Sequence, residues 1–424
     1  MVGSGIFVLP AQVAQLLGTA SLSAYLAAGI AAGLIVLCFA EVGALFERSG
    51  GPYLYARAAF GDFAGFEIGW MLLTARITSI AAISNAFASY LGFFWPWTTA
   101  GAGRVIVIIG AIATLTVINY RGVHYGARTV NLFTVAKLAP LFIFVVAGIF
   151  LLVPHHALAW HTPSAAALPQ ASLLLIFAFG GFEFAVVVGE EVIHPKRTIP
   201  IALLAAISLV AVLYIAIQYV AQGTLPELAT STTPLASSAQ RFLGPIGGVL
   251  LAIGAVFSTT GTNSALMLIT PRILFAMAEG QQLPQSLSRV HPRFHTPYIA
   301  IIVSAVLGCA AAMYSGFATL AAISAIARLL TYIATCVALP IFRRSMPSAQ
   351  RWFAVPGGVI IPIAAVALSI WLLMGSSKKQ VLISAANLAA GAAIYSCYRL
   401  FRKSQNGSKL ALGRARGRPD HHAL

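Results

Sequence analysis

The sequence predicts an all-α polytopic membrane protein. Two features of composition and one of arrangement carry that prediction. Of 424 residues, 59% are hydrophobic and 8% are charged, where a soluble domain is about 25% charged. No soluble fold keeps so much apolar surface out of water. The apolar residues fall into runs of helical length and lack the in/out alternation of outer-membrane barrel strands. Of the 26 Lys and Arg residues, 19 gather in alternate connections between the runs and at the C-terminal end.

A membrane-spanning helix needs ~20 apolar residues. A partial run covers 1–17. Full runs cover 20–45, 64–95, 103–120, 130–153, 171–192, 200–222, 245–275, 297–314, 317–342, 358–375 and 381–400. No charged leader precedes the first run, so no cleavable signal peptide is expected. Cys38, Cys309, Cys336 and Cys397 are scattered through apolar runs and read as small hydrophobes.

Orientation follows from the basic residues. With the start of span 1 on the cytoplasmic side, the inside loops hold twelve, from Arg48 and Arg57 to Arg344 and Arg351. The C-terminal end adds seven more, from Arg399 to Arg418. The outside loops hold Arg104, Arg241, Lys378 and Lys379. Both termini are therefore expected in the cytoplasm, with the protein in the plasma membrane (the inner membrane of a bacterium). The net charge of +16 then reads as a positive-inside flank touching anionic lipid rather than as a nucleic-acid site. The polar outside loop 224–243 has room for short helices over the mouth of a pathway. Loop 154–170 carries His155, His156 and His161, which either sense pH or do nothing.

Two spans share a defect. Span 1 reads VGSGIF, and span 6 reads IFAFGGFEF with Gly180 and Gly181 near its middle. Paired glycines let the backbone leave helical geometry, and freed peptide groups at membrane depth must line a cavity or bind something. A half-helix N-terminus presents N–H groups to a carboxylate, and a half-helix C-terminus presents carbonyls to an ammonium. Together they suit the two ends of an amino acid. The breaks lie five spans apart, an odd offset that inverts the second copy. Matched interruptions in two halves point to a transporter site by analogy. The alternative is that the glycines serve only close helix packing.

These stretches resemble the amino-acid permeases of the amino acid–polyamine–organocation (APC) family. The resemblance rests on GSGIFVLP in span 1, FERSGGPYLYARAAFG after span 2, INYRGV after span 4, FAFGGFE in span 6, EEVIHPKRTIPIA after it and PRILFAMAEGQQLP closing span 8, followed by FAVPGG at 353–358. It implies a five-plus-five inverted-repeat fold. Residues 1–153 would form the first repeat (span 1 incomplete), 171–342 the second, 358–401 two additional helices and 402–424 a basic cytoplasmic tail. It also implies secondary active transport of amino acids by alternating access, as proton symport or exchange, with no cofactor. In the family a leader and a half-helix precede the first break. Met1 is therefore expected to be a misassigned start or the edge of a fragment, with about 10–15 apolar residues upstream, the length of half a span.

The resemblance also implies roles for individual residues. Gly3, Ser4, Gly5 and Ile6 would meet the substrate carboxylate. Phe177, Ala178 and Gly180 would meet the amino group, with Phe177 as an aromatic gate and Phe179 and Phe182 either gating or packing. Lys137 matches a position where an amine replaces the sodium ion of sodium-driven relatives. A desolvated lysine can cycle its proton, so Lys137 is a coupling candidate, or else a fixed donor to span 1 carbonyls. Ser258 and Thr259 are the weaker sodium-binding alternative. Glu183 is a candidate for proton gating or for a structural ion pair.

Charges inside spans are functional candidates by default. Arg76, in the middle of span 3, is expected either to pair with Glu183 or to contact substrate, where it would disfavour cations. Arg328 is expected to pack beside the pathway or donate to a carbonyl. Glu41 and Glu67, near span ends, are expected to be solvated. Every histidine falls in a loop or the tail, and the pair His291 and His295 in HPRFH has no acid or cysteine grouped beside it, so catalysis and a fixed metal are not expected. No charged ring or filter suggests a channel. An amino-acid sensor with the same pocket remains the rival reading. The side-chain preference, the coupling ion and the oligomeric state are left open by the sequence.

Overall fold

The computed structural model describes residues 2–46, 50–122, 127–151, 164–187, 192, 194–347 and 352–416, with 127–134 and 401–416 as backbone only. The helices are α1 Gly5–Leu17, α2 Ser21–Leu45, α3 Pro52–Phe60, α4 Asp62–Leu91, α5 Gly101–Tyr120, α6 Ala127–Leu151 and α7 Ala167–Phe179. They continue as α8 Glu183–Val187, α9 Pro195–Thr224, α10 Pro234–Glu279, α11 Tyr298–Tyr314, α12 Phe317–Ser345, α13 Ile360–Met374 and α14 Lys378–Arg416. Among the described residues, seven helical stretches are long and apolar enough to cross a membrane, and four shorter apolar helices accompany them. The protein is a helical polytopic membrane protein.

Most boundaries fall within a few residues of the apolar runs. Helix α14 continues past the run 381–400, through part of the expected tail, to Arg416, and two others differ for a physical reason. The run 171–192 is not one helix: α7 ends at Phe179 and α8 begins at Glu183. The run 245–275 is preceded by a further helical segment from Pro234, set at an angle where Gly244 leaves helical geometry at φ 71° and ψ −169°. The polar loop before it forms a short 3-10 turn, Leu228–Thr230, which packs on α1. His155, His156 and His161, together with Arg48, Arg351 and the tail side chains, lie outside the described residues.

The helices pack around α1 and α7, which lie side by side. Helix α2 runs along α9, and α4 is held between α10 and α12. Helix α13 covers α12 and α2, while α14 leans on α4 and α12. Large apolar side chains such as Ile106, Phe150, Val212 and Ile363 are exposed, as expected of surfaces that meet lipid rather than water. Polar groups inside the bundle are used as ties. Arg104 Nε donates to Asn85 Oδ1 at 3.0 Å and Arg104 Nη2 to Ala312 O at 3.0 Å. Trp70 Nε1 donates to Asn387 O at 3.0 Å, and Asn387 Nδ2 to Thr74 Oγ1 at 2.8 Å.

Glu41 corrects the expectation of a solvated span end. Its side chain is fully buried. It accepts from Arg343 Nε at 2.8 Å, Arg343 Nη2 at 2.5 Å and the Val355 N–H at 2.7 Å. Arg343 Nη1 donates in turn to Gly358 O at 2.8 Å. A carboxylate withdrawn from water needs such partners, and here they strap the 353–358 segment across α2 and α12. Glu67 is half-buried, with both carboxylate oxygens enclosed.

Candidate functional site

Span 1 is non-helical before Gly5, so the first N–H groups of α1 have no partner within the helix. The Ser4 side chain makes no capping bond, and its hydroxyl is buried without a partner among the described residues. Across from it, α7 stops at Phe179, Gly180 is extended (ψ 168°) and Gly181 has φ 105°. Only glycine enters that last conformation without strain, so the Gly-Gly pair sets where span 6 breaks. The two breaks touch. A Cβ on Gly5 would lie 2.8 Å from Ala178 Cα. Tyr214 holds the back of the junction by donating its hydroxyl to Ala178 O at 3.2 Å.

A cavity of about 560 Å³ opens beside these breaks. Gly3, Ser4, Gly5, Phe177, Ala178 and Gly180 line it, together with Lys137. Ile6 is fully buried but is not part of the lining. Other walls come from Ser79 and Ile83 of α4, Asn119 of α5, Phe184 of α8, Thr262 of α10 and Arg328 of α12. The cavity extends toward the end of the bundle where Thr296 Oγ1 is tied to Tyr120 O at 2.8 Å, since Ile118 and Asn119 in the last turn of α5 border it. On the other side Phe177 meets Phe317 edge to face at 5.5 Å. Tyr90 donates to Phe7 O at 2.5 Å and closes the packing there.

Lys137 Nζ donates to Val2 O at 2.9 Å. The amine therefore ties span 5 to the unwound part of span 1. Ser258 and Thr259 are buried but do not line the cavity. Thr259 Oγ1 is committed to Ala255 O at 2.8 Å, while the Ser258 hydroxyl has no partner among the described residues. Among the described residues no group of three or more His, Cys, Asp or Glu could hold a metal ion.

Glu183 is the hub of the buried charges. Its Oε2 accepts from the Gly181 N–H at 2.7 Å and from the Tyr332 hydroxyl at 3.0 Å. Its Oε1 is hydrogen-bonded by Arg328 Nη1. Arg76 Nη2 stands off at 4.0 Å from the same oxygen. Arg328 thus departs from the expected carbonyl partner: its main partner is a carboxylate, because a buried guanidinium needs a counter-charge. Arg76 does not line the cavity. It is fully buried, with its guanidinium 3.7 Å from the centroid of the Phe184 ring, and Phe184 is itself a lining residue. Arg76 therefore lies behind an aromatic wall. Phe179 and Phe182 are buried against Tyr214 and Phe39. The sequence offered Arg328 a place beside the pathway or a carbonyl partner, but not the carboxylate of Glu183, and it gave no signal for Ser79, Asn119 or Phe184.

The family model described as amino acid permease matches residues 1–395. The chain belongs to this family. Among the relatives of this permease is the serine/threonine exchanger SteT of Bacillus subtilis (strain 168), 32% identical over 387 residues, covering 88% of the chain and 87% of SteT. The branched-chain amino acid permease BcaP of the same organism is 26% identical over 427 residues, covering 94% and 90%. A methylthioribose transporter, also from that strain, is 26% identical over 415 residues, covering 94% and 90%.

Proposed function

We propose that this permease is a secondary active transporter of amino acids, working by alternating access. The observation that carries the reading is the junction of the two breaks. The N-terminal end of α1, reached through Gly3, Ser4, Gly5 and Ile6, and the carbonyl end of α7 at Phe177, Ala178 and Gly180 converge beside one cavity. Such an arrangement suits a zwitterion, with the carboxylate at a helix N-terminus and the ammonium at a helix C-terminus. The relatives SteT, a serine/threonine exchanger, and BcaP, a branched-chain amino acid permease, agree with it.

With both termini cytoplasmic, the cavity faces inward and Phe177, Phe317 and Tyr90 form the closed outer side. Lys137 is the coupling candidate, since release of Val2 O on deprotonation would loosen the unwound part of span 1. Proton symport and exchange both accommodate this. The two inverted repeats, 1–153 and 171–342, would supply the moving parts. A sodium-coupled version would use Ser258, but the Lys137 amine already occupies the neighbouring span 1 carbonyl.

Binding to the purified protein tests the reading. A labelled amino acid should be displaced by its unlabelled form, and not by the matching amine lacking the carboxyl group or the matching acid lacking the amino group. Equal displacement by either one-ended analogue would contradict recognition of both ends.

A further inference from the structure

Resting on the transport reading above, we infer that Arg328 is a specificity-determining residue. It selects amino acids whose side chain carries an oxygen acceptor and rejects those with a cationic side chain. The main-chain ends of the substrate are assigned to the Gly5–Ala178 junction. Two residues further along the same break, Arg328 presses on Gly180 so closely that a Cβ there would lie 3.0 Å from its Cζ. Arg328 lines the cavity at that point although it is only 4% exposed. Nε donates to Ser324 Oγ at 3.3 Å, Nη2 to Ser79 Oγ at 3.0 Å, and Nη1 to Glu183. A guanidinium carries more N–H groups than these bonds use, so it retains donors for a ligand.

The local charge does not balance. Arg76 and Arg328 share the single carboxylate of Glu183, and no Asp or Glu lines the cavity among the described residues. Arg76 makes no hydrogen bond through any of its three guanidinium nitrogens among the described residues. A second cation held without a hydrogen-bonding partner is a standing reserve for Glu183. When a substrate oxygen draws on Arg328, Glu183 can turn toward Arg76 without leaving its charge unpaired. Arg76 is therefore a positioning residue. The excess positive charge repels a lysine or arginine side chain, and an acceptor-bearing side chain gains a charged hydrogen bond that an aliphatic one cannot make.

Counterflow into proteoliposomes of the full chain tests this. The panel is serine against alanine, threonine against valine, glutamate against leucine, and lysine. We expect the acceptor-bearing member of at least one pair to show an apparent KM lower by about tenfold or more, since a site built to hydrogen-bond a substrate group rejects an analogue lacking it by up to ~10⁴–10⁵-fold, with no lysine flux. Preference led by serine and threonine identifies a hydroxyl acceptor, and preference led by glutamate a carboxylate. In the Arg328→Gln variant, where Glu183 keeps Arg76 as its counter-charge, the preference should vanish while alanine flux persists. Equal handling of all three pairs by the wild type, or lysine flux matching serine, overturns the inference while leaving amino-acid transport standing. Loss of all substrates alike in that variant, with the protein still folded, also overturns it by placing Arg328 on the main-chain carboxylate. Absence of flux for every amino acid overturns the transport reading and this inference with it.

Discussion

Gly5 and Ala178 meet backbone to backbone, and a methyl group on Gly5 would come within 2.8 Å of both Cα and Cβ of Ala178. Gly3, two residues earlier, is less confined: the atoms nearest a Cβ there belong to the Thr262 side chain, at 3.3 Å. The two glycines therefore make different predictions. Gly5→Ala forces the breaks apart, costs about 1–3 kcal/mol of packing and should abolish substrate binding. Gly3→Ala should weaken binding only modestly, because Thr262 can turn. Labelled-ligand binding to the two purified variants gives the order, and a stronger effect at Gly3 would contradict this account of the junction.

Lys137 sits 2.9 Å from Val2 O with no carboxylate bonded to it among the described residues. If that amine couples the proton to span 1, Lys137→Ala should bring gradient-driven uptake down to the level of protein-free vesicles. Binding at equilibrium should change far less. Uptake with and without an imposed pH gradient measures this, and a K137A variant that still responds fully to the gradient removes Lys137 from the coupling step.

Glu183 separates two arginines. Its removal leaves buried positive charges facing one another, so Glu183→Gln should destabilise the fold by about 3–5 kcal/mol. Adding Arg328→Gln to that variant should restore part of the loss, because the two changes act on one contact. Melting temperatures of the single and double variants in detergent give the comparison. Additive losses would mean that the Arg328–Glu183 contact is not energetically coupled.

Glu41 holds both Arg343 and the Val355 N–H. Glu41→Gln should cost about 1.5–3 kcal/mol, the range for hydrogen bonds to a charged group. The loss should appear locally, as faster amide exchange over residues 353–358. Unchanged exchange there would show that the strap is held by packing instead.

The sequence made the spans legible because a lipid-facing helix must be apolar along its whole length, and such runs need no knowledge of their neighbours. The two breaks were legible for a similar reason, since VGSG and FGGF are local exceptions to helix-forming composition. What stayed hidden was pairing. Arg76 was the expected partner of Glu183, yet the closer partner is Arg328, 145 residues away in sequence. Arg76 is shut behind the Phe184 ring. Glu41 looked like a solvated span end, because Arg343 and Val355 approach it only once α2 and α12 are packed. Composition reveals that a buried charge needs a partner. Only the fold decides which one it gets.

The central claim is that an amino acid is carried through the cavity where the breaks of spans 1 and 6 meet. Counterflow tests it most directly: radiolabelled amino acid outside proteoliposomes of the full chain, with unlabelled amino acid inside. The account predicts label accumulation above protein-free vesicles for at least one amino acid, lost in Gly5→Ala. Flux equal to protein-free vesicles for every amino acid, with and without a pH gradient, would contradict it.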